Sequence, residues 1–330
     1  MIVVRNRFFS NKPLVSLKRS RSLKERKDDD EEEDEEIVKP PPKKPPTKDS
    51  QPIAHTKEGG DVAWYIPYAS IPTKRRRLDE DDEDDEEEDD DDDEDVIELP
   101  GRTAESVSHE PWLPIFNDRL TMFIGGIPGA GKTYLAKQMI GLLPDTDDID
   151  VLLFTALEEK DGNFDDLDKK KRLFKIKMTP DVLRQINLKE IRERTRHEGR
   201  QTILVFDDID QMQDPQLFRL TAGIMNDALA NGRGHEKHDG EGDVHVLCTT
   251  HTVNNFLKTK YMFENSNYIA LFPLSTPIKQ MQLMFEKLGL DTKLCKKIIR
   301  ICRRKNIRSI IIHKTVPLYM IYGDKIMLID

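Results

Sequence analysis

The stretch from Thr121 to Ala136, TMFIGGIPGAGKTYLA, limits the possible folds of this chain more than any other part of it. An apolar run enters a glycine-rich segment that leads straight into a helix-forming one, and Gly126 to Thr133 match G-x-x-x-x-G-K-[ST]. Residues without bulky side chains let successive backbone N–H groups close on phosphate oxygens, so Gly126, Ile127, Pro128, Gly129, Ala130 and Gly131 are expected to line a phosphate cradle. The helix starting at Lys132 aims its positive end at the same phosphates. Lys132 is expected to reach the β and γ oxygens, Thr133 to ligate Mg²⁺, and Tyr134 to complete the loop. The pattern predicts an ATP-binding strand–loop–helix unit.

A P-loop needs a second apolar strand ending in carboxylates, and ILVFDDID, residues 203–210, supplies one. Asp207 is expected to serve the metal and Asp208 to orient or deprotonate the attacking water, with Asp210 as the alternative base. The segment VHVLCTTH ends in Thr249, Thr250 and His251, polar groups at the strand edge where ligands bind in open α/β sheets. His251 is the candidate γ-phosphate sensor; the alternative is a polar run that opens the next helix. In LANGRGHEKHDGEG, Arg233 follows a long helix, where an arginine lent to a neighbouring subunit's nucleotide could sit. A surface arginine is the other reading. His235, His238, His245 and His251 could suggest a metal, but the first two share this loop and no cysteine accompanies them, which argues against zinc.

Charge divides the chain. Residues 1–100 hold 18 Lys and Arg against 31 Asp and Glu, net −13, whereas the remainder holds 34 against 31, net +3. The first hundred residues include the acidic run Asp79–Asp95 and the proline/lysine segment KPPPKKPPTK, and are read as a disordered arm, with AWYIPY around Trp64 as a short docking motif. PTKRRRLD, spanning Lys74 to Arg77, has the form of a nuclear import signal. Residues 101–330 then form one domain. No apolar run approaches the roughly 18 residues of a membrane span. Cys248, Cys295 and Cys302 form no C-x-x-C pair, and the last two lie among apolar residues of one helix, as buried thiols do.

From Glu110 onward, short β-branched runs alternate with amphipathic segments, which predicts an α/β fold with a mostly parallel sheet flanked by helices. Strands are expected at 121–125, 151–155, 202–207, 244–250 and 268–272, and helices near 132–142, 180–195, 214–230, 252–260, 276–288 and 292–304. Three further C-terminal strands, in SIIIHK, PLYMIYG and DKIMLI, should join one sheet edge. On the last helix, Lys293, Lys296, Lys297, Arg300, Arg303 and Arg304 gather largely on one face, suited to a polyanion or simply to solvent.

In this order, GGIPGAGKT, ILVFDDID, NGRGH and the strand after it make residues 119–325 resemble the FtsK/HerA superfamily of P-loop ATPases. More narrowly, the region is similar to the genome-packaging ATPases of large eukaryotic DNA viruses, the poxvirus-type group. The resemblance implies a RecA-like fold with the sensor strand between the P-loop and acidic strands, and a homo-oligomeric ring that moves double-stranded DNA with ATP. It also implies capsid or portal partners, and a place in the host nucleus, a cytoplasmic virus factory or the virion. His251 stands where the family more often has Gln, and Gly234 with a longer acidic loop interrupts the compact N-G-R-H. The competing functions are a P-loop kinase of a small molecule and a non-catalytic, nucleotide-gated interaction protein.

Overall fold

The computed structural model describes residues 2–5, 50–56, 61–65, 103–105, 110–116, 119–143, 149–155, 164–165, 167, 172–198, 200–232, 243–251 and 256–329. Its strands are β1 (Ile2–Arg5), β2 (Gln51–Thr56), β3 (Val62–Tyr65), β4 (Thr103–Glu105), β5 (Trp112–Pro114), β6 (Thr121–Gly125), β7 (Ile149–Thr155), β8 (Arg172–Lys175), β9 (Gln201–Asp207), β10 (Val244–Thr250), β11 (Tyr268–Leu271), β12 (Ile310–His313), β13 (Tyr319–Tyr322) and β14 (Lys325–Leu328). The helices are α1 (Lys132–Gly141), α2 (Pro180–Gln185), α3 (Leu188–Glu198), α4 (Pro215–Asn231), α5 (Phe256–Asn265), α6 (Ile278–Lys287) and α7 (Thr292–Arg304).

A ten-stranded sheet in the order β4-β14-β13-β12-β11-β6-β10-β9-β7-β8 organises the molecule. From β11 to β8 every pairing is parallel, and from β11 to β4 every pairing is antiparallel. Parallel strands need covering on both faces, which explains why ILVF of β9 and VLC of β10 read as continuous apolar runs rather than alternating ones. One face buries Phe206, Val246, Ile269 and Ile312 against α4, α6 and α7. The other buries Met122, Val205, Leu247 and Ile321 against Leu135, Met139 and Ile140 of α1.

The expected strands and the edge addition of the C-terminal ones are present, and β8 is an extra strand that its short RLFK sequence did not announce. The single helix expected over 180–195 is two. Thr179 caps α2, with its hydroxyl accepting from Val182 N, and Asn187 restarts the chain by accepting from Lys189 N. α5 is described from Phe256, and residues 252–255, where its first turn is expected, lie outside the described residues.

Short stretches within the arm depart from the expectation. The sequence puts residues 1–100 outside the fold, yet β2 and β3 pair with each other, with β1 and with β5 in a second sheet, order β1-β3-β2-β5. Ile53, Ala54 and Ala63 are buried in the same cluster as α1 and β6. Tyr319 Oη donates to Ile53 O at 3.2 Å, and Trp112 N and Nε1 donate to the carbonyls of Gly323 and Asp324. Two apolar strand-length runs around a Gly-Gly, PIAHTKEGGDVAWY, were the signal, obscured by the charge on either side. The buried Trp64 therefore belongs to a strand. The acidic run and the KRRR segment lie outside the described residues. Among the described residues no helix is long and apolar enough to cross a membrane, and all three cysteines are buried, with burial pushing Cys295 and Cys302 up to about 12.

Candidate nucleotide site

The phosphate loop leaves β6 at the carboxyl edge of the sheet. Gly126 N donates to Thr250 O at 3.1 Å, tying the start of the loop to the end of β10. A Cβ on Gly126 would lie 2.7 Å from Phe272 Cδ2, so the ring of Phe272 forms the floor that only glycine clears. Gly131 caps α1 at φ 100°, in the left-handed region that a side chain disfavours. Ile127, Pro128 and Gly129 are exposed, Thr133 is half-buried, and Tyr134 in the first turn of α1 is 71% exposed. Lys132, by contrast, is 6% exposed.

Lys132 Nζ lies 3.5 Å from Asp208 Oδ1, and His251 Nε2 lies 2.7 Å from Asp208 Oδ2. Asp208 is thus held between the P-loop lysine and the last residue of the TTH segment. Its φ of 49° is unusual for a non-glycine residue and turns the chain sharply after β9. Thr249 stabilises the turn: its hydroxyl accepts from Asp208 N at 2.9 Å and lies 2.7 Å from Asp207 Oδ1 and 3.1 Å from Asp208 Oδ1. One hydroxyl therefore organises both carboxylates. Asp210 accepts from His251 N through both oxygens at 3.2 Å, which positions the histidine.

Burial of Asp207 pushes its carboxyl up to about 6, with the neighbouring Asp208 charge adding to the shift; Thr249, Lys132 and His251 act against it. Burial also lowers the Lys132 ammonium, opposed by the three aspartates. Asp207 is therefore a carboxylate short of positive charge, the kind of group a divalent cation would favour. One such oxygen donor with the Thr133 hydroxyl suits Mg²⁺, which is usually completed by phosphate oxygens and water rather than by an all-protein cage. Among the described residues no cluster of three or more His, Cys, Asp or Glu could hold a metal.

Arg233 lies outside the described residues, as do His235 and His238. The ends of their loop are visible. Gly232 O accepts from Val244 N at 3.0 Å, and the buried Arg119 donates to the carbonyls of Val244, Leu229 and Ala228. A Cβ on Gly232 would collide with that guanidinium. His245 beside it accepts from Leu120 N through Nδ1 at 2.9 Å, and burial, with the Arg119 charge, lowers it to about 4. Sequence reasoning missed Arg119, weighed His245 only as a metal ligand, and grouped Thr249 with the sensor strand without giving it a role; the partners of Arg119 and His245 lie 109 to 125 residues away.

Phosphate loop, acidic strand and intervening polar strand together define a P-loop nucleotide-binding fold of the RecA-like type. No protein-family model matches the chain, and no characterised protein matches it by sequence. Among solved structures it is similar to the genome-packaging NTPase B204 from Sulfolobus turreted icosahedral virus 2 in complex with AMP, at 14% identity and TM-score 0.36, over 60% of this chain and 95% of that one. It is also similar to the pCW3 conjugation coupling protein TcpA, at 12% identity and TM-score 0.39, over 84% and 75%. A third is the cytoplasmic domain of the Thermomonospora curvata type VII secretion ATPase EccC, at 11% and 0.38, over 62% and 25%. Strand order and side-chain geometry, rather than these distant likenesses, carry the assignment.

Proposed function

We propose that this chain is an ATP-hydrolysing motor that translocates double-stranded DNA, and more narrowly one that packages viral genomic DNA into a capsid. The observation that carries the reading is the insertion of β10 between β6 and β9, which brings Thr249 and His251 onto the carboxylates facing the P-loop. Small-molecule P-loop kinases commonly keep the acidic strand beside the P-loop strand, and that arrangement is not the one here. A purely nucleotide-gated binding protein would have no need of a carboxylate poised between Lys132 and His251.

In this reading Lys132 moves from Asp208 to the β and γ oxygens when ATP enters. Asp208, released from the lysine and still held by His251 and Thr249, orients a water and takes its proton. Mg²⁺, held by Asp207 and Thr133, would neutralise phosphate charge. Arg233 is supplied to the neighbour's nucleotide in a homo-oligomeric ring that meets capsid or portal components, in the host nucleus or a cytoplasmic virus factory.

The test is ATP turnover with and without long duplex DNA at several protein concentrations. DNA should stimulate turnover, and turnover per subunit should rise with concentration, because a lone subunit holds only part of the catalytic charge. Turnover blind to both, with phosphate appearing on a small molecule, would overturn the reading in favour of a kinase.

A further inference from the structure

α7 buries Cys295, Ile298, Ile299 and Cys302 against β12, β13 and β14 and turns its other side outward. From Thr292 to Arg308 the chain carries eight Lys and Arg and no Asp or Glu. Lys293, Lys296, Arg300 and Arg304 recur at helical spacing, and Lys305 and Arg308 extend the stripe beyond the last turn. All six are exposed, and none makes a side-chain hydrogen bond or ion pair among the described residues. Arg303 differs: it donates to Pro273 O and Thr276 O and anchors the helix. Unopposed like charges three and four residues apart destabilise a helix by about 0.2–0.5 kcal/mol per pair. The fold carries that cost with no acidic neighbour on the same helix to offset it.

The same chain contains the matching polyanion. Asp79–Asp95 is seventeen consecutive Asp and Glu residues, and only seven residues separate Asp95 from Thr103, where β4 joins the sheet beside β14. Eight residue steps reach up to about 26 Å, whereas the three strand spacings from β4 across β14 and β13 to β12, into which α7 leads, come to about 14 Å. We propose that the outer face of α7 is the docking surface for this acidic run, held in cis. So short a tether gives an effective concentration of about millimolar, so that many individually weak contacts suffice. A nucleic acid, presenting the same dense negative charge, must displace the run to use this face.

The inference does not rest on the translocation reading, since docking can be read without ATP or DNA. The full-length chain is treated with a carbodiimide, which joins lysine amines to carboxylates, at about 50 mM and about 1 M salt, where screening lengths differ several-fold. Cross-links from Lys293, Lys296 and Lys305 to the peptide containing residues 79–95 are expected at low salt and should be lost at high salt. Cross-links absent from α7, or spread evenly over exposed lysines such as Lys189 and Lys260, overturn it.

A second measurement uses a duplex oligonucleotide of about 30 bp as the probe. Replacing the seventeen acids by Asn and Gln at constant length should tighten binding about tenfold at low salt. The gain should vanish when Lys293, Lys296, Arg300 and Arg304 are changed to Gln, exposed positions where the swap leaves the core intact. A gain that survives those changes would mean that the run covers a different surface, and the proposal would fall.

Discussion

The two halves of the ten-stranded sheet share a core yet treat their polar atoms in opposite ways. In the parallel half, the carboxyl ends of β6, β9 and β10 all point one way, so Gly125, Asp207 and Thr250 finish along one edge and the loops after them converge. In the antiparallel half, successive strand ends alternate, and polar groups close on backbone nearby: His313 Nδ1 lies 2.8 Å from Pro317 O, and Tyr319 Oη donates to Ile53 O. Parallel topology gathers charge that is incompletely paired, as the raised Asp207 carboxyl records. Antiparallel topology disperses polar groups and makes a buttress.

If that division holds, changes at the edge of the parallel half should strike chemistry and leave folding nearly intact. Lys132→Ala should lower ATP turnover by about 10³-fold or more, since a buried phosphate charge loses its main cationic partner. Nucleotide binding should weaken with it, and wild-type turnover in this variant would break the assignment. Asp208→Asn should keep ATP affinity close to that of the wild type while slowing hydrolysis by about 10²-fold or more, because the loop and the proposed metal ligand remain and only the proposed base is lost. Equilibrium binding of a fluorescent ATP analogue alongside single-turnover hydrolysis separates the two effects.

The converse variant is Met320→Ala, in the fully buried centre of β13. A cavity there should cost about 3 kcal/mol in denaturant unfolding, with turnover per folded molecule unchanged. A comparable drop in turnover would show that the antiparallel half does more than support.

A smaller effect should come from the amino end of β10. His245 is held neutral at about 4 by burial and by Arg119, below its ordinary value of 6.5. A group with a depressed value binds fewer protons folded than unfolded, so stability is lost as pH falls from about 6.5 towards about 4. Between pH 7 and pH 5 this amounts to about 2 kcal/mol. In His245→Asn, whose amide oxygen can still accept from Leu120 N, the fall in melting temperature over that range should shrink. An unchanged pH profile would assign the acid sensitivity to other groups.

Read along the chain, the P-loop and the acidic strand were legible because each is one contiguous segment whose chemistry depends on neighbours a few residues away. Sequence therefore determined where the glycine loop, Lys132, Thr133 and Asp207 lie in the fold, the parallel core and the C-terminal strands at its edge. It left out the strands at Gln51–Thr56 and Val62–Tyr65, since the charge around them masked a short strand pair that packs against Trp112, Tyr319 and α1. It proposed His251 without the reason for its position, which is Asp210, 41 residues earlier, holding its backbone. Tertiary structure alone made Thr249 the bridge between Asp207 and Asp208 and brought Arg119 to the carbonyls of Ala228, Leu229 and Val244. A hydrogen bond needs its atoms within about 3 Å, and for residues 40 to 125 positions apart only the packing of the sheet sets that distance.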